Sequence, residues 1–186
     1  MYDLRYRCIF IHQRKAAGTS IIRAFGKTPS FPLGIKNPEW HWFNNGVLGR
    51  GWAYRPPFYV FSAVRNPFDR VVSAWKFLKA TRDRPLEEVL LHPPSSSYVH
   101  VHLTRPQIAS LRTADGSLVT DDLVRFESLQ ADFDRVCDRL GKPRVLIPHA
   151  NAGPREAGYR QYFNAESRRL AEELFKDDLE TFGYDF

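Results

Sequence analysis

Three short segments have the length of buried strands; the first two are almost entirely apolar, and the third is interrupted by charged residues. The first run spans residues 8–11 and the second spans residues 58–64, and both are rich in β-branched or aromatic side chains. The third spans residues 121–126, with Leu-Val-Arg-Phe at its centre. Because the second run is almost uninterrupted, it predicts a central parallel strand that is covered on both faces. The pattern therefore predicts an α/β fold with a mostly parallel central sheet.

The clearest helix signal follows the second run. Asn66 is a suitable N-cap, Pro67 suits the first helical position, and Asp69 falls in the first turn. Ser73 lies off the apolar stripe of this helix, on the side of Asp69 and Arg70. The stripe itself is expected to face the core, and it consists of Phe68, Val71, Val72, Trp75 and Leu78.

Weaker periodic signals predict the remaining helices, over residues 21–25, 85–91, 106–112, 129–140 and a last segment capped by Asn164. Gly26 and Gly141 are suited to end the first and the fourth of these helices. His100 and His102 have the i, i+2 spacing of one strand face. We interpret them as surface or acceptor-cleft histidines rather than metal ligands, because no cysteine or acidic cluster accompanies them.

The composition narrows the class of protein. A chain of 186 residues with 43% hydrophobic residues suits one domain with a sizeable core. The net charge of +6 favours anionic partners, such as a nucleotide, an acidic glycan or a nucleic acid. Cys8 and Cys137 both fall in apolar patterns, which indicates reduced core residues and a reducing compartment. No apolar run approaches the roughly 20 residues that span a bilayer, so a soluble, cytoplasmic protein without membrane insertion is expected.

The candidate chemistry begins directly after the first predicted strand. Residues 12–20 read His-Gln-Arg-Lys-Ala-Ala-Gly-Thr-Ser. A strand, a turn of small residues and a helix start present several backbone N–H groups to one anion, and Lys15 adds a positive charge there. The stretch is not a Walker A loop, because Lys15 precedes Gly18 and the first glycine of that motif is absent. An ordinary turn with a solvated lysine has the same local pattern.

This stretch resembles the 5′-phosphosulfate loop of the sulfotransferases that use 3′-phosphoadenosine 5′-phosphosulfate (PAPS). Many carbohydrate sulfotransferases read His-x-Pro-Lys-Thr-Ala-Gly-Thr-Ser there, whereas this chain has Arg14 in place of the proline and Ala16 in place of the first threonine. Residues 64–73 read Val-Arg-Asn-Pro-Phe-Asp-Arg-Val-Val-Ser. They are similar, almost residue for residue, to the 3′-phosphate-binding signature of the same family.

The resemblance implies a fold, a cofactor and a site. The fold would be a single domain over residues 1–186 with the three-layer arrangement of the P-loop kinases. The cofactor would be PAPS, with 3′,5′-adenosine bisphosphate (PAP) as its product, and no metal would be required. Arg65 and Ser73 would bind the 3′-phosphate, Arg155 would lie in a segment that closes over the nucleotide, and Lys15 would neutralise the leaving 5′-phosphate oxygen. The residues implied at the 5′ end are Arg14, Lys15, Ala17, Gly18, Thr19 and Ser20.

The acceptor is implied to be a hydroxyl, most naturally that of a glycan or another carbohydrate. The irregular stretch 27–57 holds His41 among many aromatic residues, namely Trp40, Trp42, Phe43, Trp52 and Tyr54. These rings suit a cleft for sugars, and a hydrophobic plug over one end of the sheet has the same composition. His41 is predicted to be the base that deprotonates the acceptor, with His12 bracing the loop and His100 and His102 as outside candidates.

Two other classes of function remain open at the level of the sequence. A P-loop-like kinase of a nucleotide or small metabolite predicts binding of ATP with Mg²⁺. A non-catalytic, basic glycan-binding module predicts salt-sensitive binding of polyanions that does not depend on a nucleotide.

Overall fold

The computed structural model describes residues 1–27, 58–113, 116–148 and 158–186. In these ranges the chain forms one sheet of four strands in the order β1-β2-β3-β4, with β1 Tyr2–Asp3, β2 Cys8–Ile11, β3 Tyr59–Val64 and β4 Asp122–Arg125. Strand β1 pairs with β2 in the antiparallel sense. Strands β2, β3 and β4 form the three-stranded parallel part of the sheet, in which Cys8 pairs with Tyr59 and Ile11 with Ser62.

Seven α-helices lie within the described ranges. They are α1 Gly18–Ala24, α2 Pro67–Phe77, α3 Leu86–Leu91, α4 Ser97–Leu103, α5 Leu129–Leu140, α6 Ala165–Leu174 and α7 Lys176–Phe182. Strands and helices alternate along the first part of the chain, which confirms the predicted α/β class with a mostly parallel sheet. The likeness to P-loop kinases and the three-layer arrangement stay predictions.

The chain divides into two compact units. The first contains residues 1–12, 18–63 and 111–150, and the second contains residues 13–17, 64–110 and 151–186. That the whole chain acts as a single domain stays a prediction.

Aromatic rings fill the core of the first unit. Phe10 of β2 and Phe61 of β3 lie 5.1 Å apart between ring centres, and Phe25 contacts both Phe61 and Phe133 of α5. Both cysteines are free and buried, as the sequence predicts. Burial raises the pKa of the Cys8 thiol to about 12, so this residue is an unreactive core side chain.

The core of the second unit is a cluster of apolar residues from α2, α3, α4 and the last helices. Four of the five predicted stripe residues of α2 are buried in it, and Trp75 packs against its edge. Helix α2 begins as predicted, with the Asn66 side chain accepting a hydrogen bond from the backbone N–H of Phe68 and Pro67 in the first turn. Asn164 caps α6 through a reciprocal pair of hydrogen bonds with Ser167.

Two predictions of local structure are wrong. Residues 106–112 were expected to form a helix, but only a short 3₁₀ turn over Ile108–Ser110 is present. His100 and His102 were expected on a strand face, but they lie on helix α4, where a two-residue spacing directs their side chains about 200° apart. Within the described residues, no helix is long and apolar enough to cross a membrane.

Candidate functional site

The loop that follows β2 has an unusual backbone. Lys15 and Ala17 have φ values of 65° and 60°, in the left-handed region that non-glycine residues seldom adopt. Each such residue costs on the order of 1–2 kcal/mol. Left-handed residues alternating with right-handed ones turn successive backbone N–H groups toward one point, which is the geometry of an anion-binding nest. The positive φ values at the alternate residues Lys15 and Ala17 are one element of such a nest. That the loop binds an anion stays a prediction.

Arg65 holds this loop from the end of β3. Its Nη1 donates a hydrogen bond to the carbonyl oxygen of Lys15 at 3.0 Å. Its Nε and Nη2 both donate to Oδ2 of Asp69, at 2.8 and 2.6 Å. The residue is only 3% exposed, so these hydrogen bonds are made largely out of water, where they are strongest. Arg65 thus fixes the carbonyl of a residue whose backbone conformation is intrinsically costly.

The backbone of Arg65 is held in turn by Gln107. The Arg65 N–H donates to Oε1 of Gln107 at 3.0 Å, and Nε2 of Gln107 donates to the Arg65 carbonyl at 2.9 Å. Asp178 of α7 accepts hydrogen bonds from the backbone N–H groups of Gln107 and Ile108, both at 2.8 Å. Gln107 and Asp178 are 1% and 0% exposed. We call Arg65, Gln107 and Asp178 the buried relay.

Arg70 is a second buried arginine beside the relay, although the sequence predicted it on the polar side of α2. Its guanidinium donates to the carbonyl oxygens of His102 and Arg105 and lies over the ring of Phe175. Burial lowers its pKa to about 10, Asp178 opposes this change and Arg65 reinforces it, so Arg70 remains a cation at neutral pH. Its Nε is buried without a partner among the described residues.

The side chains of the loop itself are cationic and partly exposed. The Lys15 ammonium lies over the ring of Phe77, with 4.1 Å between Nζ and the ring centre. Arg14 is half-buried, and this burial lowers its pKa while Tyr98 acts in the opposite direction. A loop that carries two cations and two left-handed residues is suited to bind an anion such as a phosphate.

Gly18 begins helix α1, and the structure gives a reason for a glycine there. A Cβ at residue 18 would lie 1.6 Å from Cδ2 of His12, so any larger residue would displace the imidazole. His12 therefore packs against the start of α1. Its bracing of the loop stays a prediction. Thr19 is half-buried and Ser20 is 4% exposed, both in the first turn of α1.

Of the remaining predicted site residues, some lie within the described ranges and some lie outside them. Ser73 is half-buried in the second turn of α2. His41, Arg155 and the aromatic residues between 40 and 54 lie outside the described residues. Arg65 is present at the strand end, and its guanidinium is bound to Asp69 and Lys15, so binding a phosphate would require it to exchange the Asp69 carboxylate for the phosphate.

Other places in the described residues are less suited to bind a ligand. The described residues contain no cluster of three or more histidine, cysteine or acidic side chains that is suited to a metal ion. A surface depression of about 580 Å³ is lined by Ala131, Asp134, Arg135, Asp138, Arg139 and Arg144. Its arginines are largely paired, Arg135 with Asp122 and Asp132, and Arg144 with Asp138, so the depression is a poor anion site.

Sequence reasoning missed Asp178 and assigned Gln107 to a helix. Pro106 and Gln107 resemble a Pro-Gln pair of the sulfotransferases. This resemblance is the sequence signal that singles out Gln107. Asp178 is one of several acidic residues near the end of the chain, and no local pattern distinguishes it from a solvated carboxylate. Its role depends on a contact with a residue about seventy positions earlier.

No protein-family model, no curated protein and no solved structure matches this chain. The functional conclusion therefore depends on the two sequence motifs and on the geometry around Lys15.

Proposed function

We propose that this chain is a sulfotransferase that transfers a sulfuryl group from PAPS to a hydroxyl, with a carbohydrate as the acceptor. The observation that carries the proposal is the loop at Lys15. The cation Lys15 is itself one of two left-handed non-glycine residues in the loop, and a buried arginine clamps its carbonyl. Backbone strain of this kind persists where the surrounding structure enforces it, and it is concentrated at functional sites.

Within the proposal, the loop binds the 5′ end of the cofactor. The backbone N–H groups of Ala17, Gly18 and Thr19, with the hydroxyl of Ser20, supply neutral donors to the 5′-phosphosulfate. Arg14 and Lys15 supply the positive charge. At the 3′ end, the sequence signature assigns Arg65 and Ser73 to the 3′-phosphate. Arg155 and His41 complete the proposed site from the sequence resemblance alone.

The proposed reaction is an in-line displacement at sulfur. The acceptor oxygen forms a new S–O bond while the bond between sulfur and the 5′-phosphate oxygen breaks. The acceptor loses one proton, and PAP leaves with the electron pair of the broken bond. Lys15 stabilises the charge that develops on the leaving oxygen, and a preorganised cation of this kind contributes several kcal/mol to such a step. The protein contributes mainly position and charge, as in phosphoryl transfer.

Ligand binding separates this proposal from the two other classes of function. The free energy of unfolding is measured with PAP, with ATP and Mg²⁺, and with a sulfated glycan. Saturation at about 100 times the dissociation constant adds roughly 2.7 kcal/mol. We expect PAP to stabilise the protein at micromolar concentration. Stabilisation by ATP with Mg²⁺ and not by PAP indicates a kinase, and stabilisation by the glycan alone indicates a binding module.

The Lys15→Ala variant tests the catalytic role of the loop. We expect the release of PAP from PAPS to fall at least a hundredfold, because the leaving oxygen loses its cation, while the Tm stays close to that of the parent protein. Lys79→Ala is the matched control, since Lys79 is an exposed lysine outside the loop. Near-normal turnover in a Lys15→Ala protein that still binds PAPS would remove Lys15 from the mechanism.

A further inference from the structure

His102 occupies an aromatic clamp in the same unit as Lys15. Its imidazole lies 4.2 Å from the ring of Tyr98 and 6.0 Å from the ring of Phe77, between ring centres. The plane of the Phe77 ring is inclined by 22° to the imidazole, which is a stacked arrangement. The residue is 5% exposed, whereas both neighbouring rings are about half exposed. The clamp fixes the orientation of the imidazole at the edge of an accessible aromatic surface.

A backbone hydrogen bond determines which nitrogen of His102 is basic. Nδ1 lies 2.8 Å from the carbonyl oxygen of Tyr98. A carbonyl oxygen can only accept, so Nδ1 carries the proton in the neutral ring and Nε2 holds the lone pair. Among the described residues, the side-chain atoms that are buried without a partner belong to Gln13, Arg70 and Thr120. Nε2 of His102 has no hydrogen-bond partner among the described residues and is not one of these buried atoms.

Burial and three nearby cations keep the His102 imidazole neutral. Burial is the largest influence and lowers its pKa below the usual 6.5, while the hydrogen bond to Tyr98 acts in the opposite direction. Arg14 and Lys15 of the loop and Arg70 of α2 lower the pKa further. At neutral pH the imidazole is therefore unprotonated, with its lone pair available on a nitrogen whose direction is fixed.

Phe77 links this histidine to the proposed leaving-group cation. The Lys15 ammonium is 4.1 Å from the centre of the Phe77 ring, and the His102 imidazole is 6.0 Å from the same centre. The distance from the Lys15 ammonium to the centre of the His102 imidazole therefore cannot exceed the sum of these two distances. An in-line transfer needs a base near the attacking oxygen and a cation near the leaving oxygen, each at roughly 3 Å, on opposite sides of the sulfur. The upper limit on the separation of Lys15 and His102 is large enough for that span.

We propose that His102 is the general base of the transfer and accepts the proton of the acceptor hydroxyl at Nε2. This inference rests on the proposed function and gives the role of base to His102 in place of His41. As the O–S bond forms, the hydroxyl proton moves to Nε2, and the electron pair of the broken bond leaves with the 5′-phosphate oxygen of PAP. The imidazolium then releases its proton to water. The exposed rings of Phe77 and Tyr98 bind the apolar face of the acceptor sugar.

The test compares His102→Gln with His100→Gln on the same helix. His100 bonds Thr104 through Nδ1, so the control removes a similarly bonded histidine two residues away. Turnover of PAPS is followed as release of PAP between pH 5 and 9, with a glycoside acceptor or with water alone. PAP affinity is measured in parallel by calorimetry. A second variant, His102→Asn, replaces the first if the glutamine variant does not fold.

We expect His102→Gln to lower kcat by 10²–10⁴-fold with PAP affinity within threefold of the parent protein. In the parent protein kcat should rise with pH as the base loses its proton, with a midpoint below 6.5, and the variant should lack this limb. The His100→Gln variant should keep both the kcat of the parent protein and its pH-dependent limb. An unchanged kcat and pH profile in His102→Gln, with wild-type PAP binding, overturns the inference and leaves the proposed function intact. A parent protein that does not bind PAP overturns both.

A His41→Ala arm distinguishes the two candidate bases directly. Loss of the pH-dependent limb in this variant, together with its retention in His102→Gln, would assign the proton transfer to His41. Loss in His102→Gln alone supports the inference from the structure.

Discussion

Truncating the side chain of Gln107 tests whether the buried relay stabilises the fold and positions Arg65. In the Gln107→Ala variant, the backbone N–H and carbonyl of Arg65 lose their partners at 3.0 and 2.9 Å. Asp178 keeps the backbone N–H of residue 107 as a donor, because that contact does not involve the side chain. Asp178 loses only the weaker contact from Nε2 of Gln107 to its Oδ2, at 3.3 Å. The perturbation therefore falls on the backbone of Arg65, on one oxygen of Asp178 and on the small volume that the side chain vacates.

The expected cost follows from the number of groups left without partners. Each buried backbone group that loses its hydrogen bond costs about 1–3 kcal/mol. Two such groups give roughly 2–6 kcal/mol, a large share of the 5–15 kcal/mol that stabilises a typical domain. For a chain of this length, a loss of about 3 kcal/mol lowers the Tm by roughly 6–12 °C. Binding of PAP should weaken as well, since Arg65 no longer has a fixed position from which to hold the loop carbonyl.

Urea unfolding and calorimetry with PAP measure the two effects separately. Gln161→Ala is the control, because Gln161 is exposed and its loss should change the Tm by less than about 1 °C. The Gln107→Glu variant adds a pH test. Burial and the neighbouring Asp178 raise the pKa of the new carboxyl. Compared with the parent protein at the same pH, the variant is therefore most stable below about pH 4.3 and loses stability as the pH rises through that raised value. A Gln107→Ala protein as stable as the parent would refute the relay as a source of stability.

Three further changes test other parts of the structure. Ser73→Ala should weaken PAP binding about tenfold or more by calorimetry, with little effect on adenosine 5′-phosphosulfate, because a hydrogen bond to a charged group contributes about 1.5–3 kcal/mol. Gly18→Ala should lower the midpoint of urea unfolding by the equivalent of about 1–3 kcal/mol, because the new methyl group meets His12, whereas Gly158→Ala, with open space around it, should not. Asn164→Ala removes the α6 capping box and should lower the Tm by roughly 2–4 °C in calorimetry. Unchanged values would refute the corresponding assignment.

The parts of the fold that were predictable from the sequence depend on local interactions. Helix α2 begins at Pro67 because Asn66 caps it, and α5 ends because Gly141 adopts φ 61°. Both events are determined by neighbours along the chain. Strands β2 and β3 were equally predictable, since a short apolar run bounded by turns has few alternatives.

The parts that could not be predicted depend on distant contacts. Residues 106–112 contain good helix formers, but the backbone N–H groups of Gln107 and Ile108 are bonded to the distant Asp178, and only one 3₁₀ turn forms. Arg70 has the spacing of a polar surface position, yet carbonyl groups from α4 and the loop after it bind its guanidinium. The clamp around His102 likewise required knowledge that α4 packs beside Phe77. No local pattern specifies any of these contacts.

The order of synthesis determines when the buried relay can support the loop at Lys15. Lys15 leaves the ribosome before the residues that support its loop, because Arg65 holds its carbonyl, Gln107 holds Arg65, and Asp178 of α7 holds Gln107. The chain is synthesised from its N-terminus at roughly 5–20 residues per second. The segment that completes the support of the loop is therefore made roughly 8–33 s after Lys15. A chain interrupted before residue 178 carries the complete motif in its sequence, but it cannot complete this support for the loop.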